Sequence, residues 1–444
     1  MFHVDGRLFK NLFGTPEMRA VFEEERFVER FLEVEAALAR AQAEVGMIPG
    51  DAAEEITACA SLEYLDMDQV EANVEEMHLF TISIIDAWKD GVGDAGEYIH
   101  WGATSQDISD TATLLQVREG LDIVRRDLEA IRDALAELAT EHAETPMMGR
   151  THHVQAIPMT FGLKAATWLD EVDRHLDRLD DLEDRLFDLQ FFAAVGTLSS
   201  IGEEGFAVQE ALAEELDLSV PDVAWYAARD RYGELVTTLA MVDATLGKIA
   251  SQVLLYNREE IDELNEPIPE GEVGSSTMPH KRNPVKSEES WMLSRLVRSH
   301  AGTMLESMGG FDERDASTWF AELAIVPETF LYTSRILQYV HETLAGLVVN
   351  EDAMRENLHI HGSLVCSEAV MMALAEEVGR QTAHEILYDT VEEALSSERS
   401  FADCVRDDEQ VNRVLSEERI EELTDPVNYT GPAARLVERA VERD

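Results

Sequence analysis

Residues 274–284, GSSTMPHKRNP, bring adjacent serines, a histidine, a lysine, an arginine and an asparagine into one short stretch behind a glycine. Three kinds of chemistry are open to such a set: cradling a phosphate, presenting a basic knob, or forming the working wall of an active site. A Walker-type phosphate loop requires a glycine before its lysine and a serine or threonine after it. Here Lys281 stands between His280 and Arg282, so that reading fails. An isolated run such as His280, Lys281 and Arg282 reads by itself as a solvated patch. A second candidate is the pair His152 and His153, because imidazole is the side chain that titrates near neutrality. As metal ligands the pair lacks an adequate third ligand in the sequence, and no metal site is expected.

Composition limits what such residues can serve. With 444 residues and 45% hydrophobic content, the chain can bury a large core divided into two or three domains. Its 90 acidic against 36 basic residues give a formal charge of -54, spread along the chain. Only six of the basic residues are lysine (positions 10, 89, 164, 248, 281 and 286), a balance resembling proteins of salt-loving, halophilic cytoplasms. Such a field argues against nucleic acid as a partner. Cys59, Cys366 and Cys404 lie far apart without CxxC spacing, so neither a disulfide framework nor a structural zinc site is expected. The start MFHVDGRLFKNLFG lacks the pattern of a signal peptide, and no apolar run reads as a membrane helix. The expectation is a soluble, cytoplasmic protein with no membrane partner.

The elements that must hold these residues read as helices. Apolar positions recur every three or four residues in ERFVERFLEVEAALARAQAEVGMIPG and through 105–142, 160–192, 233–262 and 284–308. Helices this long need partners along their length, which points to an all-α bundle completed by other subunits. Glycine, proline and polar residues gather at 90–106, 143–160, 193–205 and 263–284. Loops between rigid helices are where functional groups are displayed.

Residues 274–284 match GSSxMPxKxNP at every fixed position, YIHWGATSQDISDTA (98–112) matches a first signature region, and MGRTHHVQAIPMTFGLKAATW (148–168) a second. In these segments the chain resembles the fumarase/aspartase superfamily, and FLEVEAALARAQAEVGMIP and LTDPVNYTGPAARLVERA extend the likeness to nearly its whole length. The resemblance implies an all-α, three-domain subunit: an N-terminal helical domain over 1–105, a central long-helix bundle over 106–350 and a C-terminal helical domain over 351–444. It also implies a homotetramer whose active sites are shared between subunits.

The chemistry implied is anti β-elimination. Removing a proton beside a carboxylate puts two negative charges on that group, so the site needs a base, fixed donors and an acid for the leaving group. By resemblance Ser275 is the base, activated by surrounding amides and by Lys281 in a loop that closes on substrate. Lys281 and Asn283 are the donors to the substrate carboxylate, with Ser276 and Met278 lining the same loop, and Thr104 and Ser105 contacting substrate from another subunit. Thr104 and Ser105 also read as the N-cap of the following helix. His152 matches the general acid, with Thr151 and Gln155 beside it in the substrate site. Glu288 stands where the adenylosuccinate lyase branch pairs a glutamate with that acid, and a carboxylate behind an imidazole fixes its tautomer and raises its pKa. His78 resembles another catalytic histidine of that branch, although Leu79 replaces the usual aspartate. His100 matches a histidine just before the first signature, and Arg229 a substrate contact in the RDR segment.

Within the superfamily two branches compete. His152, Glu288 and ERDAS (313–317) are adenylosuccinate lyase-like, whereas LFGTPEM, HWGATSQD and DPVNYTG are closer to 3-carboxy-cis,cis-muconate cycloisomerase. The chain departs from adenylosuccinate lyases where a phosphate-binding arginine becomes Leu323 and where a glutamine becomes Ala228. A leucine cannot replace a bidentate phosphate clamp. The expected function is therefore fumarate-releasing elimination of a succinyl-type polycarboxylate, adenylosuccinate lyase-like and possibly on a non-nucleotide N-succinyl substrate, or the reverse addition. The cycloisomerase is the alternative, followed by a non-catalytic scaffold of the same fold. No cofactor is required by this chemistry, since fixed donors replace a Lewis acid.

Overall fold

The computed structural model describes residues 4, 6–267, 277, 278 and 280–443. Five long helices dominate, at Ser105–Glu141, Phe161–Leu186, Asp230–Tyr256, Val285–Ser307 and Ala316–Ala345. In the first, Leu121, Val124, Leu128, Ile131, Leu135 and Leu138 are all buried. Their three- and four-residue spacing puts them on one stripe. The expected helices 105–142 and 284–308 match closely, whereas 160–192 and 233–262 end earlier than expected, at Leu186 and Tyr256; Ala316–Ala345 was not anticipated, and two small antiparallel pairs interrupt the all-α pattern. These are Pro146–Thr151 with Val154–Thr160, and Leu264–Asn265 with Val348–Val349.

The chain divides into two compact units, Met1–Leu128 with His175–Ala244 and Met292–Gln338, and Glu129–Arg174 with Thr245–Trp291 and Tyr339–Asp444. In the first unit, the Glu24–Glu44 helix buries Phe31, Leu32 and Leu38 in a core that also holds Trp88, whose indole donates to the Cys59 carbonyl at 2.8 Å. The long helices are tied laterally there by Arg125 to Glu183 and Arg185 to Glu234. In the second unit, Arg132 pairs with Asp173, Lys248 with Glu171 and Lys286 with Glu342, and the C-terminal helices close over Val370, Leu374, Ile386, Phe401, Val405 and Ile420. All three cysteines are buried and free.

One helix, Asp230–Tyr256, is by length and composition alone long and apolar enough to cross a membrane, with 56% of its apolar window buried inside the protein. Burial of that kind is what a core helix of a bundle shows, because its apolar faces are already covered by neighbours.

That helix also carries a buried acid. Asp243 is 0% exposed and its Oδ2 accepts the Thr333 hydroxyl at 2.7 Å, while Oδ1 is buried with no partner among the described residues. Burial outweighs the Thr333 bond and the charge of Arg298, and the carboxyl is pushed up to about 8. The folded chain then holds a proton that the unfolded chain has released between about pH 4 and pH 8. This contribution to stability is full below that window and gone above it. Asp243→Asn should therefore gain on the wild type as pH rises through the window, by at most about 1.4 kcal/mol per pH unit. Urea melts at several pH values measure it; a pH-independent difference would mean that Asp243 is ionised in the fold.

Candidate active site

In the first unit the signature region forms a tight network at the start of the Ser105–Glu141 helix. Asp107 N donates to the Thr104 carbonyl at 2.9 Å, and Asp107 Oδ2 accepts the Thr104 amide at 2.9 Å. That is the reciprocal half of a capping box, so the backbone expectation for Thr104 holds. The Thr104 hydroxyl is used elsewhere: its Oγ1 accepts Arg314 Nη1 at 2.8 Å. Arg314 also donates to the Ala194 carbonyl, and its guanidinium lies 5.2 Å from the Tyr226 ring centre. Sequence reasoning quoted ERDAS without singling out Arg314; it sits 210 residues from Thr104, and only the fold joins them.

Asp107 is fully buried and gathers four donors: the amides of Thr104, Phe192 and Ala193 and the Tyr226 hydroxyl. Desolvation outweighs these bonds and pushes its carboxyl up to about 7. The Tyr226 hydroxyl also reaches the Ala193 carbonyl at 2.7 Å, and having one proton it donates to one acceptor at a time. Gly102, at φ 73°, is required here because a Cβ would stand 2.4 Å from Ile201 Cγ2.

His100 stands just before this network. Its Nδ1 is 2.6 Å from Glu35 Oε1, and its backbone N–H donates to Glu35 Oε2 at 3.0 Å. His78 is exposed at the C-cap of the Met67–Met77 helix. Arg229 lies inside the first unit, 3% exposed, with its guanidinium between Asp110 and Glu322. Its Nη1 and Nη2 bond Asp110 at 2.8 and 3.1 Å, and Nε bonds Glu322 at 2.9 Å. That geometry gives Arg229 a bracing place between two helices.

In the second unit, Thr151 pairs with Val154 and leaves His152 and His153 as a two-residue hairpin turn. Both have positive φ, 50° and 68°, the geometry of a type I′ turn that normally selects Asn and Gly. Among the described residues nine non-glycine positions have positive φ, and all four candidate histidines, His78, His100, His152 and His153, are among them. Left-handed backbone costs about 1–2 kcal/mol for such residues, and strain of this kind clusters at functional sites.

The hairpin is anchored at its base. Arg150 makes a two-pronged bond to buried Glu263 at 2.6 and 2.8 Å, and Glu263 also accepts Asn357 Nδ2 at 2.8 Å. Gln155 Nε2 donates to the Asn357 carbonyl at 3.0 Å, and its Oε1 has no partner among the described residues. Thr151, His152 and His153 are exposed at the tip.

Ser275 and Ser276 lie outside the described residues. The flanks of their loop are described: Lys281 N donates to the Met278 carbonyl at 3.0 Å, and Lys281 and Glu288 are exposed, Asn283 half-buried. Glu266, before the loop, accepts the amides of Lys286 and Ser287 at 3.1 and 2.9 Å and the Ser287 hydroxyl at 2.8 Å. A carboxylate on the first-turn amides caps the Val285–Ser307 helix and ties both ends of the loop together. Sequence reasoning missed Glu266, since nothing local marks it as a cap for amides 20 residues away. Among the described residues no hydrogen bond joins His152 to Glu288 within one chain.

The first unit thus carries the 98–112 signature with Arg314 delivered to Thr104, and the second carries the strained His152–His153 turn on its hairpin. A family model described as Lyase matches residues 13–298, and one described as Adenylosuccinate lyase C-terminus matches 363–440. The chain belongs to this lyase family, the fumarase/aspartase superfamily, in its adenylosuccinate lyase and muconate cycloisomerase branch, and is an enzyme of it. It is 39% identical to N-acetyl-S-(2-succino)cysteine lyase of Dickeya dadantii (99% of this chain, 96% of the relative). It is 38% identical to adenylosuccinate lyase of Pyrococcus abyssi (97% and 96%). The crystal structure of 3-carboxy-cis,cis-muconate lactonizing enzyme from Pseudomonas putida superposes with a TM-score of 0.92 at 35% identity, covering 98% of each chain.

Proposed function

We propose that the enzyme releases fumarate from a non-nucleotide succinyl compound by anti β-elimination, with the succinyl group on sulfur or nitrogen. The observation that carries this reading is the setting of Leu323. It lines a cavity of about 740 Å³ in the first unit whose charged lining is wholly carboxylate: Glu24, Glu25, Asp68, Glu71, Glu75 and Glu322. No cation takes the place of a phosphate clamp there, so a phosphorylated nucleotide is disfavoured. The likeness to N-acetyl-S-(2-succino)cysteine lyase over 99% of the chain supports a compact thioether substrate.

In this reading Ser275 removes the proton, Lys281, Asn283, Thr104, His100 and Arg314 hold the carboxylates, and His152 with Glu288 serves the leaving group. Neither member of that last pair is bonded to the other within one chain, and both are exposed. Sites completed by other subunits of a homotetramer fit this arrangement, as does the solvent exposure of Met292, Leu296 and Leu305 along the Val285–Ser307 helix. The substrate's small size and the protein's strong acidity fit a cytoplasmic enzyme with no nucleic-acid or membrane partner.

The test is turnover by wild type and His152→Gln, read as fumarate release from N-acetyl-S-(2-succino)cysteine and adenylosuccinate and as loss of the conjugated-diene absorbance for 3-carboxymuconate. Wild type should favour the thioether over adenylosuccinate in kcat/KM by about 10-fold or more, since each 1.4 kcal/mol is tenfold. An amine departs only with a proton, whereas a thiol near pKa 8.5 departs as thiolate. His152→Gln should therefore lose about 10²-fold or more with an amine leaving group and much less with sulfur. Turnover of carboxymuconate alone would overturn the proposal in favour of the cycloisomerase.

A further inference from the structure

Glu35 lies on the Glu24–Glu44 helix, within the segment FLEVEAALARAQAEVGMIP and outside the three signature regions, and its side chain is 1% exposed. Its two oxygens are both spent on one residue. Oε1 meets His100 Nδ1 at 2.6 Å, and Oε2 accepts the His100 backbone N–H at 3.0 Å. No cation pairs with this carboxylate among the described residues. A buried charge is costly unless something compensates it, and here the imidazole is the only candidate.

The two bonds act on different parts of His100. The backbone bond grips the amide of a residue held at φ 59°, a conformation that residues with a Cβ resist. The ring bond fixes the proton on Nδ1 and leaves Nε2, on a side chain still 19% exposed, without a hydrogen-bond partner among the described residues. His100 lies four residues before Thr104, whose hydroxyl Arg314 holds.

We propose that Glu35 is a positioning residue for His100, clamping its backbone and ring so that Nε2–H of the imidazolium is presented to a substrate carboxylate. The inference rests on the reading of His100 as a substrate contact. Desolvation pulls the imidazolium toward the neutral form. The charge and hydrogen bond of Glu35 on the Glu24–Glu44 helix, aided by the charge of Asp107 on the Ser105–Glu141 helix, outweigh it and leave the pKa raised. The ring accordingly keeps its charge to higher pH than a free histidine. Carboxylate binding through it weakens as pH rises past that point.

Glu35→Gln keeps the shape and one backbone acceptor but turns an amide NH₂ toward Nδ1, removing the charge that holds the imidazolium. The expected result is a KM about threefold to tenfold higher with kcat little changed, from the weakening of a charge-assisted bond. The pH at which KM climbs should move down. Ring-labelled histidine NMR, with the His100 signal assigned by its absence in His100→Asn, should show its titration moving the same way. An unmoved titration overturns the proposal, as does a kcat loss with KM unchanged. A moved titration with KM unaltered in both Glu35→Gln and His100→Asn overturns the substrate role while the lyase reading stands. If wild type releases no fumarate from any succinyl compound, the function proposed above fails and this proposal falls with it.

Discussion

Ser275→Ala is expected to lower kcat by about 10³-fold on any substrate the enzyme turns over, while the thermal midpoint and the oligomeric state stay at wild-type values. An elimination needs a base aligned with the Cα proton, and alanine removes the only atom of Ser275 able to take it. The effect should fall on kcat and kcat/KM alike, because proton abstraction is made only in the transition state. The loop's ends do not depend on Ser275: Glu266 holds the amides of Lys286 and Ser287, and Met278 accepts the Lys281 amide. Folding therefore should not report on this substitution. A steady-state fumarate assay with a parallel thermal melt checks it, and unchanged turnover would remove Ser275 as the base.

Arg229→Met is expected to cost about 3–5 kcal/mol of stability, far more than any surface arginine. Its charge sits between Asp110 and Glu322, which are 2% and 3% exposed. Methionine fills much of the volume and leaves two carboxylates buried without a cation. Glu322 is already pushed up to about 7, because burial outweighs the bonds and charge of Arg229 and Asp110 adds its repulsion. With the guanidinium gone, both acids must bind protons to stay inside. The folded variant then holds protons that the unfolded chain gives up above about pH 4, so its stability declines as pH rises from there. Urea melts of variant and wild type at pH 5 and pH 8 should show the larger deficit at pH 8. Equal deficits would mean that neither acid takes up a proton.

The same substitution should reach the site. Asp110 lies on the turn after Asp107, and Glu322 lies two turns beyond Arg314, so the triad holds in place the two segments that bring Arg314 to Thr104. Arg229, read in the sequence as a substrate contact, thus has its measurable effect through position: KM should rise in whatever fraction of Arg229→Met remains folded.

The long helices were legible because their apolar residues recur at helical spacing, and their ends fell within a few residues of Ser105–Glu141 and Val285–Ser307. The hairpin at 146–160 was read as a break. Its register depends on pairing, and its turn uses His152 and His153 where local chemistry prefers Asn and Gly. The Ala316–Ala345 helix escaped notice although its length rivals the others.

The sequence by itself determined the reaction class of this protein, since Ser275, Lys281, Asn283, His152 and Thr104 sit in segments whose residue order is distinctive. It also determined the long helices, since periodicity is a local property of the chain. Which carboxylate serves which cation was decided only by the tertiary structure. Ninety acidic residues offer too many partners for sequence spacing to choose among. Packing selects Glu35 for His100 across 65 residues, Glu263 for Arg150 across 113 and Glu322 for Arg229 across 93. The physical reason is desolvation: a charge taken from water must meet its partner at hydrogen-bond distance, and only the folded core determines which charges leave water together.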